Sequence, residues 1–201
     1  MNALRDALAP NLGKLLTPEL AVEIMQQFAR NMVGGIQTYD VEPLHHGEYV
    51  YQLERLEYIL DELHALHQAH WLETEKHRHG IPFKPDYERI IDQERNGRFM
   101  QFTARHNDVL VGQTGMYIST STHTKQTIAK EDSLFVQNGH RIGVGRRLII
   151  YARDSLFQLG VTEITVTAKL VNSTGKLLTR LGFQHTADEY TLVREQKDVF
   201  A

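Results

Sequence analysis

Residues 138–149 read NGHRIGVGRRLI, between an apolar run, DSLFV at 132–136, and IYARDSLFQLG at 150–160, which has a helical pattern. A strand-to-helix turn needs one glycine at most, yet here Gly143 and Gly145 bracket Val144. The first amides of a helix have no partner within it, and together with the helix dipole they favour an anion such as phosphate. A side chain at position 143 or 145 would hold such a group away from the backbone, so glycine has a steric reason to stand there. Arg141, Arg146 and Arg147 add positive charge. A G-V-G triplet alone also fits a tight turn with a solvated basic helix start. Two familiar phosphate loops are excluded, since G-x-x-x-x-G-K-S/T is absent and G-x-G-x-x-G would need glycine where Leu148 stands.

Downstream, the spacing predicts a helix over 144–159 ending at Gly160, then a strand in VTEITVTAKL (161–170). NSTGKLLTRLG follows as a helix stopped by Gly182, and FQHTADEYTLVRE (183–195) as a closing hairpin. Upstream, IAKEDSLFV (128–136) reads as a strand, and period-two alternation over 98–120 predicts a hairpin turned at His106-Asn107-Asp108. PDYERIIDQERNG makes a short helix between Pro85 and Asn96-Gly97. Residues 56–78 read as one long helix whose buried face carries Leu56, Leu60, Leu63, Leu66, Ala69 and Leu72, with a first strand in EYVYQLERL before it. In TPELAVEIMQQFARNMVGG, Thr17 caps and Pro18 opens an amphipathic helix with Leu20, Ile24, Phe28 and Met32 on one stripe. That stripe packs either on its own domain or on another chain, as in a homo-oligomer. The order gives a mixed α/β (α+β) domain at 41–201 behind a helical N-terminal extension at 1–40, with the glycine turn opening a βαβ crossover.

At 201 residues with 41% hydrophobic and 23% charged, the chain is long enough to bury its own core. A net charge of −3 argues against broad capture of nucleic acid. The absence of cysteine excludes disulfides, thiolate catalysis and Cys-based zinc sites. Without a signal-like start or a long apolar run, no membrane segment is expected and the expected compartment is the cytoplasm.

The string from Glu131 to Val193 resembles the acetyl-CoA-binding half of the GCN5-related N-acetyltransferases (GNAT). That family has a strand, a loop of the form R/Q-x-x-G-x-G/A, a helix, a strand, and then Asn-x-x-Ala-x-x-Leu-Tyr-x-x-x-Gly-Phe. Gly143 and Gly145 match the loop, while Asn172, Leu178, Gly182 and Phe183 match the later motif. The resemblance covers residues 48–194, and its details look most like acetyltransferase-like proteins of tailed bacteriophages and prophages. It implies a central mixed, mostly antiparallel sheet flanked by helices, with its fourth and fifth strands (here 128–136 and 161–170) splayed to admit the pantetheine arm. It also implies acetyl-CoA as cosubstrate, with Phe135 and Val136 pairing the arm. The diphosphate would rest on Arg141, Ile142, Gly143, Val144, Gly145 and Arg146, with Asn172 beside the cofactor. The expected reaction is acetyl transfer by direct attack of an amine, on a protein or a small molecule; the acceptor is not legible.

The resemblance also implies a general base on the strand 128–136, where Glu131 and Asp132 stand. Adjacent strand residues face opposite ways, so only one is expected in the cleft, where an apolar setting would raise its pKa. A surface ion pair with Lys130 or Arg153 is the bland reading. The family departs at three places. His140 takes the arginine/glutamine position because the loop is one residue short, Gly175 replaces alanine, and Thr179 replaces the acid tyrosine. Tyr190 is the candidate substitute acid. These departures keep open a second function, a non-catalytic structural component of a phage particle assembled through the N-terminal helix, which would place the chain in a virion. Of eleven histidines, five (His64, His67, His70, His77, His79) surround one helix. They lack a ligand register with the nearby acids, so no metal site is expected. Trp71 fits a core anchor or an acceptor wall. Lys169 suits a CoA or substrate contact or a solvated strand end, and Lys125 has only the polarity of its loop to recommend it.

Overall fold

The computed structural model describes residues 8–33, 41–75, 82–170 and 174–192. After a short 3₁₀ turn at Ala9–Asn11, the elements are α1 (Pro18–Val33), β1 (Leu44–His46), β2 (Tyr49–Glu54), α2 (Leu56–His70) and α3 (Tyr87–Arg95). Then come β3 (Phe99–His106), β4 (Val109–Thr120), β5 (Thr127–Val136), α4 (Val144–Gln158), β6 (Glu163–Thr165) and α5 (Thr174–Arg180). The strands form one sheet in chain order, antiparallel throughout except for parallel β5–β6. This is the mixed α/β architecture that the sequence implies.

Local chemistry sets most boundaries. Thr17 Oγ1 accepts the Leu20 amide at 3.2 Å and so caps α1. Arg55 gives α2 no side-chain cap. Instead, the buried Glu94 carboxylate, at the end of α3, accepts the Leu56 amide at 3.0 and 3.1 Å and Arg55 Nε at 3.2 Å. The β3–β4 turn places Asn107 (φ 47) and Asp108 (φ 64) both in the left-handed region, as a two-residue hairpin turn demands.

The sheet is covered on both faces. Val144, Leu148, Tyr151, Ala152 and Leu156 of α4 pack on Met100, Phe102, Ala104, Met116 and Ala129. On the other face Leu56, Ile59, Leu63 and Leu66 of α2 meet Phe99, Leu110 and Phe135, with Ile90 and Ile91 of α3 beside them. A polar chain runs inside that second layer: Gln101 Nε2 donates to Gln113 Oε1 at 3.0 Å, and Gln113 Nε2 to Ser133 Oγ at 3.1 Å.

Four departures from the sequence expectations bear on the site. The long helix stops being α-helical at His70 and continues as a π-type turn over Trp71–Glu75, with Leu72 exposed rather than inward. A strand not anticipated, β1, pairs with β2. The strand expected over 161–170 pairs only through Glu163–Thr165. The described part of the expected closing hairpin, 183–192, carries no strand, and its remainder lies outside the described residues.

A methyl group added at Gly115 would stand 2.6 Å from Phe99 Cζ, whereas one at Gly175 would meet Ala168 Cβ at an ordinary 3.5 Å. Gly115→Ala is therefore expected to lower stability by about 1–3 kcal/mol. Gly175→Ala should raise it by several tenths up to about 1 kcal/mol through helix propensity. Paired denaturant titrations would check both signs.

Candidate active site

Where β5 and β6 part, the sheet opens. Ile128, Ala129 and Lys130 pair with Glu163, Ile164 and Thr165, and there the ladder ends. The Thr167 amide, the next group with a chance of pairing, donates instead to Glu131 Oε2 at 3.1 Å. On its other side β5 carries a bulge. Gly115 pairs with Ser133 and Met116 with Glu131, leaving Asp132 as the extra residue.

The gap is a cavity of about 350 Å³ lined by His70, Tyr117, Lys130, Glu131, Asp132, Leu134, Thr167, Lys169, Thr174 and Glu189. Both carboxylates of the Glu131-Asp132 pair are on its wall, not one. The strict alternation expected of a strand fails here because Asp132 is itself the bulged residue, without a partner on β4. Glu131 is buried, 8% exposed, and Asp132 is exposed. Burial pushes the Glu131 carboxyl from an ordinary 4.5 up to about 7; the Thr167 amide and Lys169 oppose this, and Asp132 and Glu189 add to it. Desolvation also raises Asp132, and a hydrogen bond from Ser133 opposes it.

The glycine turn lies beyond the far end of β5. Gly143 takes φ 81 as the N-cap of α4, and the first helical bond runs from Arg147 N to Gly143 O at 3.0 Å. Among the described residues the amides of Val144, Gly145 and Arg146 have no acceptor. A Cβ at Gly143 would meet nothing within 4 Å, and one at Gly145 only Val136 Cγ2 at 3.6 Å. Ile142 is fully exposed beside them. A diphosphate fits this seat, since its oxygens would find bare amides and open space.

The outer edge of β5 leads from the seat to the cavity. Gln137 N donates to Val111 O at 2.8 Å, so Gln137 and Phe135 turn their backbone groups to β4. Leu134 and Val136 therefore present theirs to the side that β6 leaves uncovered. Of the expected pair, Phe135 packs with His70 at 5.5 Å between centroids and Val136 belongs to the α4 layer. Asn172 lies outside the described residues.

The remaining candidates scatter. Tyr190 is 90% exposed and is not among the cavity-lining residues. Thr179 donates its hydroxyl to Gly175 O at 3.0 Å within its own helix. Trp71 packs on Phe83, and Lys125 takes φ 59 in its loop. His67 is held neutral, lowered to about 4 by burial, with Nδ1 3.2 Å from the Tyr87 hydroxyl. Of the five clustered histidines His70 alone among the described residues reaches the cavity wall. Tyr117, Leu134, Thr167, Thr174 and Glu189 also line it without having been singled out. No local motif marks them, because they come from separate elements.

Residues 60–183 match the profile of the acetyltransferase (GNAT) family, and the chain belongs to that family of acyl-CoA N-acyltransferases, whose cosubstrate is acetyl-CoA. Solved structures share the fold. Aminoglycoside acetyltransferase meta-AAC0020 from an uncultured soil metagenomic sample, in complex with sisomicin, superposes with a TM-score of 0.59 at 18% identity, covering 74% of this chain and 97% of that one. Ribosomal-protein-alanine N-acetyltransferase from Brucella melitensis biovar Abortus 2308 gives 0.57 at 19%, covering 73% and 99%. AAC(6')-Iy, bound to the bisubstrate analog CoA-S-monomethyl-acetylneamine, gives 0.55 at 18%, covering 75% and 100%. No curated protein sequence matches the chain.

The Glu131 carboxyl sets a pH signature on stability. The folded chain keeps this proton up to about pH 7, while an unfolded glutamate releases it near 4.5. The folded state thus binds more protons across that window, so the contribution is full below about pH 4.5 and is lost as pH rises through 7. Glu131→Gln is expected to flatten the decline, by at most about 3 kcal/mol between the two ends. Denaturant midpoints of both proteins from pH 4.5 to 8 would check it, and parallel curves would count against a buried protonated Glu131.

Proposed function

We propose that this acyltransferase acetylates a cationic primary amine, with Glu131 as the general base. The observation that carries the reading is a buried carboxyl with pKa about 7, set in the gap between β5 and β6 at the end of an open strand edge. The acceptor enters as an ammonium ion, which the three wall carboxylates Glu131, Asp132 and Glu189, outnumbering the two lysines Lys130 and Lys169, favour over a neutral group. Glu131 takes a proton from it, and the amine nitrogen attacks the thioester carbonyl carbon. The C–N bond forms and the C–S bond breaks; nitrogen gives up its second proton to water or a wall group as it becomes an amide, and the sulfur leaves with its electron pair and takes up a proton. The arm would lie along the Leu134–Val136 edge, with the diphosphate on the amides of Val144, Gly145 and Arg146.

Solved structures of this fold include an aminoglycoside acetyltransferase and a ribosomal-protein-alanine N-acetyltransferase. The wall chemistry supports a cationic amine of either origin. Thr179 motivates the non-catalytic alternative, a structural component of a phage particle, but an ionisable base on the cavity wall supports chemistry instead.

Calorimetric titration with acetyl-CoA tests the binding half. The chain is expected to bind it, with Gly143→Glu abolishing binding by bringing bulk and negative charge to the seat. Gly143→Ala shares the backbone strain of φ 81 without the charge and is expected to weaken binding less than Gly143→Glu does. Absence of binding by the unaltered chain at millimolar acetyl-CoA would sink the reading. For the chemical half, thiol release with a panel of diamines and aminoglycosides should rise with pH through about 7, and Glu131→Gln should slow it by about 10²–10⁴-fold and erase that rise.

A further inference from the structure

Arg141 stands two residues before the seat, yet its guanidinium is turned back over the strand. Nε donates to Val136 O at 3.0 Å, Nη2 reaches Glu73 Oε2 at 2.6 Å, and Cζ stands 5.5 Å from the Phe135 ring centroid. Glu73 belongs to the π-type turn that prolongs α2. One side chain thus ties the end of α2 to the uncovered edge of β5 and occupies the Val136 carbonyl that an incoming amide needs. The two charged groups are 42% and 47% exposed, so water and salt screen the pair and burial does not lock it. A diphosphate offers a guanidinium more charge than one carboxylate does, in a geometry suited to a bidentate contact.

We propose that Glu73 sets the affinity for the thioester carrier by holding Arg141 across the strand edge until a diphosphate takes the guanidinium in its place. This rests on the acetyl-CoA reading above. Glu73 is a positioning residue: it competes for Arg141, and its removal is felt through Arg141 alone. When the exchange occurs, the Val136 carbonyl is released to accept an amide N–H of the arm. The charge balance is simple, one anionic partner of Arg141 replaced by another, with no covalent change.

The test is a double-mutant cycle read by acetyl-CoA calorimetry on the full chain: unaltered, Glu73→Gln, Arg141→Ala and both together. Glu73→Gln is expected to tighten binding by about twofold to fivefold, the range for a screened ion pair. Arg141→Ala should weaken binding, and adding Glu73→Gln to it should change the Kd by less than about twofold. An unchanged or weaker Kd for Glu73→Gln overturns the proposal while leaving acetyl-CoA binding intact. So does an equal gain in the Arg141→Ala background, since Glu73 would then act as a bare charge near an anion. No binding by any of the four proteins overturns the acetyl-CoA reading, and this proposal falls with it.

Discussion

The hydrogen bond from the Thr167 amide to the Glu131 carboxylate decides where the sheet stops being a sheet. A parallel ladder continues as long as each strand offers the other backbone groups. After Lys130 and Thr165 the next N–H on the β6 side is taken by a side chain, so the strands diverge and the outer edge of β5 stays uncovered. The same contact fixes Glu131. Its Oε2 is spoken for, and among the described residues Oε1 makes no hydrogen bond. Burial makes the charged form costly while the amide offsets part of that cost, so the carboxyl titrates near neutrality. One contact thus opens the cleft and leaves in it a carboxyl poised to exchange protons.

The bulge at Asp132 works with this opening. An extra residue in one strand of an antiparallel pair bends that strand and increases its local twist. Gly115, opposite, has no side chain to resist the approach of Phe99, whose ring lies where a methyl group would be. Behind the bulge, Gln113 holds Ser133 in place from the α2 layer. The two carboxylates therefore share a wall because the backbone is kinked between them, and the kink is held by a buried polar chain.

How much of this was legible follows from whether the cause is local. Glycine at positive φ marks the ends of three helices at Gly97, Gly160 and Gly182 and opens α4 at Gly143, and all four could be read from the chain because the conformation belongs to one residue. The turn at Asn107-Asp108 and the open amides at the start of α4 were legible for the same reason: each needs only a turn or a helix start. The length of β6 was not. VTEITVTAKL alternates well enough for a full strand, but pairing needs a partner edge, and Glu131 intercepts it. The bulge is invisible to a period-two pattern, which is why Glu131 and Asp132 were expected on opposite sides. Leu72 keeps helical spacing yet is exposed, since the π-type turn rotates the face that the spacing assumed. The cavity wall draws on separate elements, so Tyr117 and Thr174 become neighbours only after folding.

The missing acid tyrosine is a smaller obstacle to catalysis than it first looks. An alkylammonium holds its proton to a pKa of about 10.4, so freeing the amine at pH 7 costs roughly 5 kcal/mol. An alkyl thiol ionises near about 8.5, so letting sulfur leave as thiolate at the same pH costs roughly 2 kcal/mol. The base therefore addresses the larger barrier. Glu131, matched to neutral pH and placed on the cavity wall, is suited to it, while a donor for sulfur is the lesser need. Thr179, whose hydroxyl is engaged with Gly175 O, supplies none. Tyr117 is on the wall, and burial with the nearby Asp132 charge raises its phenol, so it keeps its proton at neutral pH. A cavity wall that carries a carboxyl titrating near neutrality and a phenol on the sheet, not on α5, is compatible with the order of energetic demands that acetyl transfer imposes.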